Sequence, residues 1–223
     1  MGDIHIVIQP ELIFSLIIMT VLSICFILAG RKIKAADPTK RPTGIILVCE
    51  TGVKMIQDYM ATLMPAQFSK NYYPYFAMMF IYIFISNISG LFGFEAPTSN
   101  YSITLAITII TFTLIQYNAL KTKGVFTYIK DIIWPPTNIL GTLAPLISLS
   151  MRLFGNIVAG SILLSLIYSF TGYLSEYVIN FNFLGPLIAP IFHAYFDVFA
   201  GFIQTLVFVT LSSILIALEV NED

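Results

Sequence analysis

The sequence predicts an all-α membrane protein with about five transmembrane helices plus one amphipathic surface helix, the last two helices being long and strongly tilted. Three observations carry this expectation. Of 223 residues, 57% are hydrophobic and only 10% are charged, against about 25% charged in a soluble domain. Mean hydropathy is +0.87. Uncharged runs recur that reach the ~20 residues a spanning helix needs. The net charge of −1 offers no field for nucleic acid, so no nucleic-acid partner is expected. Cys25 and Cys49 read as small hydrophobes, with neither disulfide nor metal site indicated. Asp3, with no Lys or Arg before Pro10, argues against a cleaved signal, and Ile6 stands where myristoylation wants Ser or Thr.

We read residues 1–223 as a single integral membrane domain. The first span is 12–30, which is uncharged. Arg31, Lys32, Lys34, Lys40 and Arg41 follow, with Pro38 and Pro42 marking a loop. The stretch 47–64 differs, because Glu50, Lys54 and Asp58 recur every fourth residue among Ile, Val and Met. That spacing puts the charges on one helical face and predicts an amphipathic helix on the membrane surface. Residues 71–120 predict a transmembrane hairpin. Its first arm, 71–94, opens with Tyr72, Tyr73 and Tyr75, which suit the headgroup level. Residues 95–100 form a polar turn with Pro97, and 101–120 form the second arm.

Lys121, Lys123, Lys130 and Asp131 make a second basic loop. From 132 to 218 the only Asp, Glu, Lys or Arg residues are Arg152, Glu176 and Asp197, with Glu219 just beyond. This region holds two long tilted helices or four shorter pieces; the first arrangement is favoured, with its break at Thr171–Glu176. Pro135, Pro136 and Pro145 are expected to bend the first long helix, and Pro186 and Pro190 the second. Every Lys and Arg except Arg152 falls within 31–70 or 121–130. In the five-span topology both segments share one side, the cytoplasm by the positive-inside rule. The N-terminus then lies outside and the C-terminus inside.

Two charged residues stand out. Arg152 sits between long uncharged runs, and an arginine at a helix centre costs about 2.5 kcal/mol or more, so it rarely faces lipid. It keeps its proton, and thus calls for a carboxylate, a cavity or water. The bland alternative is an arginine snorkelling from a helix end. Asn156 and Ala159 share its face, and Gly155, Ala159 and Gly160 let another helix approach. Asp197 forms a polar stripe with His193, Gly201 and Gln204 at 4, 4, 3 spacing. A carboxylate one turn from an imidazole suits a proton relay; the alternative is an interfacial loop near Pro190. Asn87 and Gln116 each either bond across to another helix or line a path. No phosphate loop, metal-ligand cluster or nucleophile motif is present, and no cofactor is expected.

The run Ser148-Leu149-Ser150-Met151-Arg152-Leu153-Phe154-Gly155-Asn156-Ile157-Val158-Ala159-Gly160 resembles the signature of subunit a of F-type ATP synthases. Asn87-Ile88-Ser89-Gly90-Leu91 with Pro97-Thr98-Ser99-Asn100, and Phe202-Ile203-Gln204-Thr205-Leu206-Val207-Phe208, are similar to two further family stretches. The resemblance runs from about residue 10 to the C-terminus.

It implies a non-catalytic, ion-translocating stator subunit of a bacterial cell membrane, with ATP chemistry on other subunits. The implied partners are a c-subunit ring, peripheral-stalk b subunits, the soluble F1 ATPase and the lipid bilayer. Two half-channels would load and unload the ring's carboxylates, with Arg152 between them and coupling to protons. By resemblance Arg152 faces the ring carboxylate, Gln204 lies near it, and Asn156 and Asp197 line half-channels. Glu95, Asn100, Asn87 and Gln116 are secondary candidates. The chain departs from the family at Ser161, where relatives carry Glu or His, at Asp197, often His or Glu, and at Asn100, commonly Asp. His193 is expected to substitute for the partner missing at Ser161. The rival readings are a transporter that works alone, which would tend to show internal repeats, and a purely structural membrane subunit.

Overall fold

The computed structural model describes residues 9–36, 43–176 and 184–220, and these are helices and turns without a strand. Helix α1 is Pro10–Lys34, α2 Ile45–Leu63 and α3 Ala66–Ile88. Two 3₁₀ turns, Ser89–Phe92 and Pro97–Ser99, lead to α4, Tyr101–Lys123. Next come α5, Val125–Ile133, and α6, Thr137–Glu176. After them α7, Leu184–His193, passes through a π-helical segment, Ala194–Ala200, into α8, Gly201–Val220. Among the described residues, five stretches are long and apolar enough to cross a membrane: Pro10–Lys34, Phe68–Phe92, Tyr101–Lys123, Thr137–Ser175 and Leu184–Glu219.

Local chemistry sets several ends. Pro10 occupies the first turn of α1, where its missing N–H is no loss, and Arg31, Lys32 and Lys34 in the last turn complement the helix dipole. Asn100 caps α4, its side chain accepting from Ser102 N–H at 3.0 Å. Gly93 and Gly124 take positive φ, 77° and 76°, at the turns before and after α4.

α4 packs against both α6 and α8. Its contact face carries Thr104, Thr108 and Thr111, all fully buried. Their hydroxyls donate, in that order, to Tyr101 O, Thr104 O and Ile107 O of the same helix, at 2.8–3.1 Å. Small side chains thereby admit close helix approach without orphaned polar groups. Tyr82, Ile83, Ile107, Leu149, Leu153 and Phe208 form a core where α3, α4, α6 and α8 meet. A second core joins Met60 and Met64 to Phe76, Ile115, Val209 and Ile216.

Three expectations are corrected. Pro135 and Pro136 do not bend the first long helix. They precede it, because Trp134 is extended, as residues before proline tend to be, and α6 begins at Thr137. Residues 132 and 133 accordingly belong to α5. Nor does the chain break at Thr171–Glu176, where α6 continues. The Thr171 hydroxyl donates to Ile167 O at 2.8 Å, and Ser175 donates to Thr171 O at 2.7 Å, so these residues are satisfied within the helix. α6 is therefore 40 residues long, about 60 Å at 1.5 Å per residue. That is twice the ~30 Å hydrocarbon core.

Candidate functional site

Arg152 lies well inside α6, flanked by Leu149 and Leu153, which are 2% and 0% exposed and belong to the core. The arginine flanks that buried face, about 60° and 100° round the helix from Leu149 and Leu153, and it is exposed. Among the described residues it has no hydrogen-bond or ion-pair partner. Its exposed neighbours on the helix are Met151 beside it, Ser148 one turn before, and Gly155 and Ala159 one and two turns after. A cation thus stands on an exposed face made largely of small and apolar residues.

Gly155 beside it is open, with nothing within 4 Å of an added Cβ, whereas Gly160 packs against Phe196, whose side chain would lie 3.4 Å from such a Cβ. The small residues of this helix therefore serve two surfaces, one internal and one free. Asn156 Nδ2 and Gln204 Nε2 are buried donors without partners. Ser161 is exposed, its hydroxyl returned to Val158 O at 2.9 Å.

The structure joins His193 to Asp197, Nδ1 to Oδ2, at 2.6 Å. This contact reaches from the end of α7 into the π-helical segment. The interfacial-loop alternative is excluded, since residues 193–200 are helical throughout. The other imidazole nitrogen, Nε2, lies 3.1 Å from the Tyr168 hydroxyl of α6. With the Nδ1 proton directed to the carboxylate, Nε2 is free to accept from the phenol. Exposure falls along the chain of groups: Tyr168 is 41% exposed, and the His193 and Asp197 side chains 24% and 15%. Gly90 closes the inner side, a Cβ there meeting the Asp197 carboxylate at 3.8 Å. Tyr168 was not anticipated; only its tyrosine chemistry, in an otherwise apolar stretch, hinted at it.

Gly201 and Gln204, expected on the same stripe, are buried in the helix interface. Asn87 Nδ2 donates to Gly201 O at 3.1 Å, and Asn87 Oδ1 accepts from Thr98 at 2.9 Å. A Cβ on Gly201 would stand 3.0 Å from Asn87 Cβ, so glycine lets the two helices approach without displacing Asn87. Of its two alternatives, Asn87 takes the cross-helix bond. Asn87→Ala leaves the Thr98 hydroxyl unpaired, at about 1–3 kcal/mol for a buried orphaned group. A lower midpoint in thermal unfolding of the detergent-solubilised chain is the expected outcome.

The remaining candidates lie elsewhere. Glu95 is exposed at its turn. Asn100, besides capping α4, donates to the Gln9 side chain. Gln116 accepts from the Tyr128 hydroxyl of α5. Both line a cavity of about 290 Å³ together with Lys123, Asp131, Asn138 and Glu219. Lys123 Nζ stands 3.2 Å from Glu219 Oε2. Burial, and next the Glu219 charge, push the Tyr128 hydroxyl above its ordinary range, with Lys123 opposing. The phenol therefore stays a neutral donor. No group of three or more His, Cys, Asp and Glu suited to a metal ion occurs among the described residues.

Residues 12–217 match the family described as ATP synthase A chain. The chain is 33% identical to "ATP synthase subunit a" of Mycoplasma genitalium over 221 residues, covering 88% of this chain and 74% of that one. It is 34% identical to the protein of that name in Mycoplasmoides gallisepticum, covering 81% and 68%. With the Streptococcus agalactiae counterpart it shares 28% identity, covering 95% and 90%. The match extends over nearly the whole described helical array, Arg152 and the paired His193 and Asp197 included, and on it the chain belongs to the ATP synthase A chain family.

Proposed function

We propose that this chain translocates protons through two half-channels that load and unload the carboxylates of a rotating c-subunit ring, with Arg152 separating the two. As a family member it is a stator subunit of the membrane sector, acting in complex with other Fo and F1 subunits. The observation that carries the finer reading is Arg152, a cation without a partner among the described residues, exposed on a face of small and apolar residues. Its cost in lipid, about 2.5 kcal/mol or more, is offset when a carboxylate of another subunit comes alongside. The length of α6 suits a helix lying steeply tilted along a ring.

Two polar clusters supply the half-channels. Tyr168, His193 and Asp197 form one, toward the α6 end that the basic loops place outside the cell. The cavity lined by Gln116, Tyr128 and Asn138 forms the other, beside the basic loop Lys121–Lys130 on the cytoplasmic side. A fixed cation between them repels a proton hopping directly across, so protons travel with the ring. One charge crossing about 100 mV releases roughly 2.3 kcal/mol, which rotation transmits to the F1 head. Peripheral-stalk b subunits hold the stator still, in a bacterial cell membrane with the N-terminus outside. α2 lies along the membrane surface, Glu50, Lys54 and Asp58 facing water.

The reading is tested by ATP-driven acidification of inverted vesicles carrying the complex with Arg152→Ala. Loss of pumping with assembly intact supports it, and unchanged pumping refutes it. His193→Ala is expected to lower pumping and alter its pH profile; an unchanged profile would remove His193 from the path.

A further inference from the structure

α5 was expected to be part of a basic loop. It is instead a nine-residue helix, Val125–Ile133, with one strongly apolar, unpartnered face. Val125, Phe126, Ile129 and Ile133 recur at helical spacing and are 63%, 86%, 49% and 60% exposed, and Trp134 follows at 75%. Its opposite side is committed to the protein, where Tyr128, Asp131 and Ile132 line the cavity. We propose that α5 is a membrane-interface anchor, its apolar face sunk into the headgroup boundary of the bilayer and Lys121 and Lys130 contacting anionic lipid phosphates.

Three observations select lipid as the occupant. First, α4 ends at Lys123 and α6 begins at Thr137, and both are helices long and apolar enough to cross the membrane. The short segment between them is therefore tethered at both ends to the level where a bilayer meets water. Second, the exposed lysines are of the sign that anionic headgroups attract. Lys130 sits beside Ile129 on α5 itself, and Lys121 one turn before Gly124; both are exposed. Basic residues at the edge of an apolar helical face are the signature of a helix lying in the interface plane. Third, the only tryptophan of the chain, Trp134, lies at the end of this face, and tryptophan favours the headgroup level. The anchor does not depend on which side of the membrane α5 occupies. It has one consequence for the cavity: the helix that roofs it is held by lipid on its other face, so bilayer composition bears on how the cavity is closed.

Because Trp134 is the sole tryptophan, the full chain reports on itself. Reconstituted into phosphatidylcholine vesicles with or without phosphatidylglycerol, its emission is expected to be blue-shifted. Lipids brominated high on the acyl chain should quench it several-fold more than lipids brominated near the bilayer centre. Lys121→Gln with Lys130→Gln is expected to reduce the preference for phosphatidylglycerol, by about fivefold per lysine, with helicity unchanged. Ready quenching by aqueous iodide, or deep rather than shallow bromine quenching, overturns the anchor. In the assembled complex, a photoreactive phenylalanine analogue in place of Phe126 should cross-link to lipid. Cross-linking to another subunit would show that a protein covers this face, and would overturn the assignment while leaving the Arg152 mechanism untouched.

Discussion

Arg152→Ala in the assembled complex is expected to abolish ATP-driven acidification. The guanidinium is the only Lys or Arg between Asp131 and the C-terminus, and it faces outward from the core formed by Leu149 and Leu153. If a ring carboxylate pairs with it there, removing the cation leaves that carboxylate charged in an apolar setting. Breaking such a pair costs about 3–5 kcal/mol, roughly a hundredfold to a few thousandfold in the population of the deprotonated state. The barrier against direct proton exchange vanishes at the same time, so any residual movement should be uncoupled leak. Arg152→Lys retains charge but not the planar, bidentate fork; it is expected to remain well below wild type yet above alanine. Acidification and passive proton uptake, measured on the same vesicles, separate lost transport from leak.

Asp197→Asn should give the second largest loss. The amide preserves the side chain's size and can still accept from His193 Nδ1, now 2.6 Å from the carboxylate. It cannot take up a proton. A positioned acid–base group contributes about 10²–10⁴-fold, and a fall in pumping toward the lower end of that range is expected. Tyr168→Phe leaves both titrating partners and removes only the hydroxyl that orients Nε2, so its effect should be smaller than that of Asp197→Asn. Equal pumping by wild type and Asp197→Asn would remove the carboxylate from the path.

The features legible in sequence were those that violate the bilayer's demands. A charge in a long apolar run is conspicuous, hence Arg152 and Asp197. Uncharged runs of spanning length mark the first three long helices, whereas in 132–218 they are compatible both with two long helices and with four shorter pieces. Pairing across helices was not legible. Tyr168 and His193 are 25 residues apart, and no periodicity links them. α5 escaped notice because nine residues vanish in a window sized for a span. Thr171 and Gly172 suggested a break by propensity, but a hydroxyl returned to its own helix overrides that preference. The cap that Asn100 gives α4 depends on where that helix starts, which the polar turn 95–100 leaves open in sequence.

The π-helical segment Ala194–Ala200 makes length itself part of the specification. Wider turns accommodate, in effect, one residue more than a regular helix would. Residues on either side are therefore offset in angular phase by about 100°, one residue's rotation. His193 belongs to one phase and Gln204 to the other, although a uniform helical wheel draws them as one line. Deleting any single residue between 194 and 200 would restore regular phase, swinging the imidazole relative to the amide without changing either. What this stretch transmits is thus a count as well as a composition, and an alignment that closes a gap there would silently rotate half of the helix.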